Sequence, residues 1–401
     1  MAQFGDFTVD RNSTKYVLGS GGTIISYATD EPAFEFNADG SYKGLLVEPA
    51  ATNICLQSED FDTTWTKGGV TVVTDDIASP SGVVNADRLT STTFTAISQN
   101  ITTTVSTNYA VSIYVKQGTS ALSWIKFEFS GGSAIQYGYQ VNWSTKTITL
   151  IGGRTAATNP LLVPFGNDGW YKFSMICASG NNTSVEFGLI PDSQSATNYI
   201  YAWGAQVETG PIATSYIPTA SAAVTRVKDD ITQTGAQSLI GQTEGTLYLE
   251  VDWRLASGTE QYLLSVNDGT NSNRMLIYNS SGVLLQIYVE AGGAFIAGGG
   301  ESSSAYSGIQ KFAFAYADGD FELYRNGSSI SSTGGSLASL GTLTDIDLGQ
   351  SYSALQQANM HIRAVALYPT RLGAVELEVL TGAPTYGSYA LMASSLGYTV
   401  E

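Results

Sequence analysis

The sequence predicts an all-β protein built from antiparallel β-sandwiches. Short runs in which apolar and polar residues alternate recur along most of the 401 residues, and Gly, Asn, Asp and Ser separate these runs. Such period-two alternation is typical of strands that have one buried and one exposed face. Charged residues make up only 13% of the chain and glycine occurs 43 times, a composition that disfavours both a helical bundle and a disordered chain.

The clearest strand pattern lies at residues 135–143. Tyr137, Tyr139 and Trp143 share one face of this run, and glutamine, glycine and asparagine alternate with them on the other face. Because successive side chains of a strand point to opposite sides, we expect this aromatic row to lie in a core. Near the other end of the chain, residues 371–380 predict one short helix that ends before Gly382.

The spacing of the strand patterns divides the chain into five segments. The first is too small for an independent core, so we expect it to contact other chains. About eight or more candidate strands follow, a number that suits a two-sheet sandwich. A stretch rich in Thr, Ala and Ser then predicts a linker before a second sandwich and a tail. The segments are an N-terminal arm at 1–52, a first sandwich at 53–218, a linker at 219–239, a second sandwich at 240–382 and a C-terminal tail at 383–401.

The charge balance and the apolar pattern exclude several classes of partner. Acidic residues outnumber basic ones 35 to 18, which gives a net charge of -17, so the broad basic footprint that binds phosphate backbones or anionic lipid is absent. The first residues do not resemble a signal peptide, and no apolar run is long enough for a membrane-spanning helix. We therefore expect no nucleic-acid partner, no membrane insertion and synthesis in a cytoplasm.

Residues suited to catalysis are scarce. Cys55 and Cys177 are far apart and form no CxxC pair, so zinc spacings are missing and both thiols are expected to be free in a reducing compartment. A Ser-His-Asp arrangement would need His361, the only histidine, which alternates with Ile362 in a strand pattern and has the position of a structural residue. Paired carboxylates remain compositionally possible, but no cluster of them stands out, so we predict that the chain is not an enzyme.

Three stretches carry a resemblance to a known class of proteins. Residues 34–65 resemble the entry segment of bacteriophage tail-fibre and related virion proteins, and residues 201–226, with the sequence YAWGAQVETGPIATSYIPTASAAVTR, resemble the end of the carbohydrate-binding-module-like jelly roll in such fibres. Residues 312–330, followed by 360–380, look like part of a concanavalin A-like or laminin G-like sandwich. The resemblance implies a jelly roll in the first sandwich and a concanavalin A-like fold in the second.

The same resemblance implies a function. It suggests a tail or head fibre located in the virion, a homotrimer whose arm contacts other tail or capsid proteins and whose sandwiches contact host-surface glycans. Two alternatives remain at this point, a depolymerase that digests polysaccharide and a purely architectural capsid decoration protein. Fold alone does not decide among them.

Sugar binding uses aromatic faces flanked by amides and carboxylates, and this selects a set of candidate residues. Trp124 alternates with two charged residues on the predicted outer face of a strand, and Tyr114 lies on a similar face. Turns of the second sandwich could line a further site at its rim. An interface with a neighbouring chain would use the aromatic residues equally well, and turn chemistry would explain the rim residues. The candidate glycan-binding residues are Trp124, Tyr114, Lys126, Glu128, Asp268, Asp318 and Asn326.

No cofactor is required by these predictions, but a structural calcium ion is a candidate. Calcium takes oxygen ligands from carboxylates and backbone carbonyls, and jelly rolls of the kind that the chain resembles often hold such an ion near their first and last strands. Asp60, Asp87 and Glu208 are the candidate ligands. Isolated surface acids or buried hydrogen-bonded carboxylates are the alternative interpretation.

Overall fold

The computed structural model describes residues 7–253, 260–280, 283–352 and 357–382. Within these residues the chain is nearly all β, as predicted, with 30 strands and one short helix. Every pairing between these strands is antiparallel. The predicted arm includes five of the strands, and they are β1 (Thr8–Asp10), β2 (Lys15–Leu18), β3 (Ile24–Tyr27), β4 (Phe34–Phe36) and β5 (Tyr42–Val47).

The middle of the chain forms a sandwich of two six-stranded sheets, with strand orders β14-β13-β12-β17-β10-β7 and β15-β16-β11-β18-β9-β8. Strands β6 and β19 lie at its entry and exit. The strands are β6 (Ala51–Asn53), β7 (Thr66–Lys67), β8 (Val70–Ala78), β9 (Val84–Ser91), β10 (Ile97–Thr102), β11 (Asn108–Gln117), β12 (Leu122–Ser130), β13 (Ile135–Asn142), β14 (Thr147–Leu150), β15 (Thr158–Phe165), β16 (Trp170–Ala178), β17 (Ser184–Ile190), β18 (Tyr199–Thr209) and β19 (Val224–Arg226).

The remaining strands belong to a second sandwich, and the single helix follows them. Glu376 caps the start of this helix by accepting a hydrogen bond from the Gly373 backbone N–H at 2.8 Å. The elements are β20 (Asp230–Gln233), β21 (Glu244–Trp253), β22 (Gln261–Asn267), β23 (Arg274–Ser280), β24 (Leu284–Ala291), β25 (Ala294–Ser302), β26 (Gly308–Ala317), β27 (Asp320–Arg325), β28 (Ser328–Thr333), β29 (Asp345–Leu348), β30 (Met360–Tyr368) and α1 (Ala374–Thr381).

The second sandwich takes strands from both sides of the first one. Its two seven-stranded sheets have the orders β1-β20-β29-β22-β23-β24-β25 and β28-β27-β26-β21-β30-β5-β4. Strands β1, β4 and β5 precede the first sandwich in the chain, and β20 to β30 follow it. We call the sandwich of β7–β18 the inserted sandwich and the sandwich that contains β1, β4, β5 and β20–β30 the split sandwich. Where the chain enters and leaves the insertion, β6 pairs with β19.

Each sandwich has its own apolar core. In the inserted sandwich, the alternation along β12 buries Ile125, Phe127 and Phe129 at 1% exposure or less, and the predicted aromatic row of Tyr137 and Tyr139 lies at 5%. These strand phases agree with the sequence prediction. Trp143 is also buried, at 1%. Both cysteines are free and buried, as predicted.

The N-terminal segment is part of the split sandwich and not a separate arm. Phe7 and Val9 of the first strand region, together with Leu45 and Val47 of β5, lie in the core of the split sandwich. Strand β5 pairs with β30, with Val47 opposite Met360. Strands β1, β4 and β5 therefore pair within the same chain, because the C-terminal strands leave edge positions that these strands fill.

The segment predicted as a linker, 219–239, is also an integral part of the fold. Thr219 and Ala220 accept backbone hydrogen bonds from the inserted sandwich, and β20 lies inside a sheet of the split sandwich. Ala236 is 2% exposed within that core. The composition of small polar residues suggested flexibility, but backbone pairing on both sides orders the segment.

A buried group of charges joins the two sandwiches at the insertion point. Asp229 accepts hydrogen bonds from Arg11 Nη1 at 3.0 Å and from Lys15 Nζ at 2.5 Å. Lys15 Nζ lies 3.1 Å from Glu48, and Arg226 Nη1 lies 3.4 Å from it. All five side chains are at most 2% exposed. Burial alone would raise the pKa of Glu48, but Arg226, Lys15 and the Ser215 hydrogen bonds lower it from 4.5 to about 2.

Candidate glycan-binding site

Strand β12 places three of the predicted residues side by side. Trp124, Lys126 and Glu128 lie on its outer face and are half-buried, whereas the residues between them enter the core. The sequence therefore predicted this face correctly. We call the outer surface around these three residues the Trp124 face.

Ion pairs fix the polar part of the Trp124 face. Lys126 Nζ lies 3.1 Å from Glu128 and 2.9 Å from Glu186 on β17, and Arg154 Nη2 lies 2.5 Å from Glu128. Burial would raise the pKa of Glu128, but the hydrogen bond from Arg154 and the charge of Lys126 together lower it. The Glu128 carboxylate is thus ionised at neutral pH, and the face presents fixed donors and acceptors with two acidic and two basic side chains.

Two glycines make room for the cationic side chains of this network on the outer face of the sheet. In the strand register, Gly138 and Gly188 lie on either side of Lys126. A Cβ atom on Gly138 would lie 2.8 Å from Arg154 Cδ, and one on Gly188 would lie 2.8 Å from Lys126 Cε. Both distances are too short for a real contact, so the glycines make the space in which the two cationic side chains rest. The charged network therefore lies on the same face of β12 as Trp124.

The indole nitrogen of Trp124 is the unusual atom of this face. It is buried and has no hydrogen-bond acceptor among the described residues. A buried donor without a partner costs about 1–3 kcal/mol, and such groups in native structures call for an explanation.

Tyr114 does not lie on an open surface. It is on the outer face of β11, as predicted, but other parts of the chain cover it, and it is only 3% exposed. Its ring packs 4.7 Å from that of Phe165 and 5.5 Å from that of Trp203, and Ile24 of β3 belongs to the same cluster. The prediction of a surface role is therefore wrong, because the N-terminal strands that cover this face are distant in sequence.

A cavity of about 330 Å³ adjoins Tyr114 where the N-terminal strands and the two sandwiches meet. Lys172 Nζ lies 5.6 Å above the Tyr114 ring in this region and donates a hydrogen bond to the Thr214 carbonyl. Nearby, the fully buried His361 contacts Glu35 through Nε2. His361 thus has the structural position that the sequence predicted.

The structure does not bring the three predicted rim residues together. Asp318 and Asn326 flank opposite ends of β27, and Asp268 lies in the turn between β22 and β23. Their side chains bond to nearby backbone atoms: Asp268 accepts from Thr270 N at 2.9 Å, Asp318 accepts from Leu337 N at 2.7 Å, and Asn326 accepts from Lys311 N at 2.9 Å. The Asp268 contact stabilises a turn, and the other two join segments 19 and 15 residues apart in the chain.

The three predicted calcium ligands also do not form one group. Asp87 lies opposite Ala202 of β18, six residues from Glu208 on that strand, a separation of about 20 Å. Asp60 is nearer to Asp87, since burial and the negative charge of Asp60 both raise the pKa of Asp87, which is about 6. Asp87 accepts from Phe61 N at 2.8 Å, and Glu208 accepts from Thr214 N at 3.0 Å. No group of three or more His, Cys, Asp or Glu residues that could hold a metal occurs in the described part of the chain.

Sequence reasoning missed Arg154 and Glu186, which complete the Trp124 face. Glu186 contacts Lys126 because β17 pairs with β12, and Arg154, which follows β14 in the chain, contacts Glu128. The sequence does not show which strands become neighbours. Gly138 and Gly188 did carry a signal, because a glycine within a strand often marks the close approach of another group.

Comparisons with known proteins give only short resemblances. Neither a protein-family model nor a curated protein matches the chain. Among solved structures, the Ruminococcus gnavus IT-sialidase CBM40 is 16% identical, with 37% of this chain and 88% of that chain covered and a TM-score of 0.32. A structure concerning botulinum neurotoxin type C and its interaction with two ganglioside molecules is 13% identical over 40% of each chain, at a TM-score of 0.33.

A third resemblance is to the SAP-like pentraxin of Limulus polyphemus. It is 12% identical and covers 35% of this chain and 70% of that chain, with a TM-score of 0.28. At these scores none of the three carries an argument about function. Separately, the described residues contain no helix that is long and apolar enough to cross a membrane.

Proposed function

We propose that this chain is a non-enzymatic glycan-binding protein that contacts a host-surface polysaccharide through the Trp124 face. The observation that carries the proposal is a half-buried tryptophan on the same strand face as a network of ion-paired side chains. An aromatic ring offers an apolar surface to the apolar face of a pyranose, and the adjacent donors and acceptors match its hydroxyl groups.

The polar groups of this face are already held in place before a ligand arrives. Arg154 and Lys126 are each paired with a carboxylate, so little side-chain freedom is lost on binding. The two positive and two negative charges cancel, which favours an uncharged or weakly charged glycan. A small rearrangement at the indole would allow a ligand hydroxyl to accept the hydrogen bond that Trp124 Nε1 lacks.

Within this proposal, the glycan contact serves adsorption of a bacteriophage. The resemblance of residues 34–65 and 201–226 to phage fibre proteins supports a tail or head fibre located in the virion, with self-association as a homotrimer and contacts to other tail or capsid proteins. Sedimentation of the full chain measures the oligomeric state. Imaging of particles that carry a labelled copy of the chain tests the virion location.

Substitution of Trp124 by alanine tests the glycan contact. An aromatic contact contributes about 0.5–1.5 kcal/mol, so Trp124→Ala should weaken affinity about twofold to tenfold per site, and more where several copies bind together. A glycan array identifies the ligand, and titration calorimetry measures the affinity of each variant for it.

The matched control is Leu161→Ala, because Leu161 is an apolar side chain that is 51% exposed on the opposite sheet of the inserted sandwich. Its affinity and its unfolding midpoint should equal those of the unaltered chain. Unchanged affinity in a folded Trp124→Ala variant would disprove the proposed site. Release of reducing ends from the bound polysaccharide would instead identify a depolymerase.

A further inference from the structure

A row of aromatic side chains crosses the outer face of the split sandwich, on the sheet that ends in β25. Tyr262, Tyr278, Tyr288 and Phe295 come from the four successive strands β22, β23, β24 and β25. The ring centroids are 5.3 Å apart for the first pair, 6.3 Å for the second and 5.3 Å for the third. We call these four residues the aromatic row.

Packing of the hydrophobic core does not account for the position of the aromatic row. Met275 and Ile277 on β23 and Ile287 and Val289 on β24 are fully buried in the core, and Tyr278 and Tyr288 alternate with them on the opposite face. Tyr262 is only 7% exposed, Tyr278 and Tyr288 are half-buried and Phe295 is 61% exposed, so the last three rings form the accessible part of the row. Large apolar rings placed in a line at a surface mark an interaction site more often than a structural need.

A glycine in the edge strand β25 makes room for Phe295, the last residue of the aromatic row. Gly298 lies opposite Tyr288, and a Cβ atom on Gly298 would lie 3.1 Å from Phe295 Cζ. The missing side chain therefore gives the phenyl ring room to lie beside the tyrosine ring. The centroids of these two rings are 5.3 Å apart with an interplanar angle of 47°.

Polar groups border the rings and are fixed by contacts within the face. Gln286 donates a hydrogen bond to Tyr278 Oη at 2.5 Å, and Tyr288 Oη donates to Glu290 at 3.2 Å. The Arg274 guanidinium lies 5.2 Å from the centre of the Tyr288 ring and pairs with Glu290 at 3.0 Å. The row thus combines apolar faces with amide, hydroxyl and carboxylate groups, which is the combination that saccharides require.

The charge of the same sheet indicates which saccharides fit. Asp230, Asp345 and Asp347 lie on β20 and β29, in the same sheet as the row, with Asp347 opposite Ser265 and Asp345 opposite Asn267 of β22. Burial, together with the charges of Asp230 and Asp345, raises the pKa of Asp347 to about 7. Arg274 is the cation beside the rings and is already paired with a carboxylate. The net charge of the chain, -17, disfavours an anionic glycan, whereas a neutral glycan meets no such repulsion.

We propose that the aromatic row binds the pyranose rings of a neutral oligosaccharide, as a second glycan site that is independent of the Trp124 face. A narrow row of four side chains is much smaller than the 20–30 residues that each partner supplies in a stable protein interface, so a saccharide suits it better than a second copy of this chain. Two weak sites on one molecule raise overall avidity through effective concentration.

Affinity electrophoresis of the full chain tests the proposal, with gels that contain dextran, galactomannan or xyloglucan as neutral polymers and hyaluronate as the anionic one. At least one neutral polymer should retard the chain, and hyaluronate should not. Phe295→Ala combined with Tyr288→Leu should weaken that retardation about fivefold or more, since each lost aromatic contact is worth about 0.5–1.5 kcal/mol.

Two controls separate this site from the Trp124 face. Phe94→Ala removes a phenyl ring that is 59% exposed on the inserted sandwich, and it should leave the retardation unchanged. In a Trp124→Ala background the double variant should weaken the retardation by the same factor, so failure of the first glycan site does not affect this result. Unaltered retardation in the folded double variant, retardation by hyaluronate alone, or a mass change in sedimentation caused by the double variant would each overturn the proposal.

Discussion

Deletion of residues 1–47 is expected to prevent the split sandwich from folding. The deletion removes β1, β4 and β5, which supply edge strands to both sheets, and it removes core side chains such as Leu45 and Val47. It also takes Arg11 and Lys15 away from the buried Asp229. This expectation reverses the one from sequence, in which residues 1–52 form an arm outside both sandwiches that contacts other chains.

Hydrogen exchange measured by mass spectrometry checks this result strand by strand. Amides of β21, β26 and β30 should lose protection in the truncated chain, while those of β11 and β18 in the inserted sandwich should keep it. A synthetic peptide of residues 1–48 added to the truncated chain serves as the control and should restore part of the protection. A truncated chain with the exchange pattern of the full chain would show that the split arrangement is wrong.

Replacement of Asp229 by asparagine is expected to destabilise the protein by about 3–5 kcal/mol. The change leaves Arg11 and Lys15 buried without the carboxylate that both contact, and it weakens the connection at the point where the chain enters and leaves the insertion. Urea unfolding measures the effect as a lower midpoint at an unchanged slope.

Asp62→Asn makes the same chemical change at the surface and is the matched control. Asp62 pairs with Lys67, but its side chain is 51% exposed, and exposed ion pairs contribute about 0–1 kcal/mol. Its midpoint should therefore stay close to that of the unaltered chain. If Asp229→Asn costs no more than Asp62→Asn, the buried charges do not hold the two sandwiches together.

Local patterns allowed the strands and their faces to be predicted. The alternation along β12 predicted that Trp124 faces outward, and the alternation around Tyr137 and Tyr139 predicted that these rings face the core. Both predictions depend only on the two-residue period of a strand. The helix after Arg371 was also visible, since its apolar spacing and the following Gly382 are local signals.

Long-range pairing could not be predicted in the same way. Val47 lies opposite Met360, more than three hundred residues later in the chain, and the sequence does not show which strand edge will be filled by which distant segment. The burial of Tyr114 could not be predicted for the same reason, because the strands that cover it are distant in sequence. The buried charges were mispredicted for a related reason. Arg226 and Asp229 lie in a stretch of small polar residues, which has the composition of an exposed linker. The sequence does not show that Arg11 and Lys15 contact the same cluster.

Quenching of tryptophan fluorescence by acrylamide tests the central claim most directly, because Trp124 is the accessible tryptophan. Trp65, Trp143, Trp170, Trp203 and Trp253 are at most 8% exposed. The glycan that binds most strongly on the array should protect the quenchable component of the emission at saturation, and Trp124→Phe should lack that component before any glycan is added. Binding of the same glycan at full affinity with undiminished quenching of Trp124 would contradict the assignment of the site.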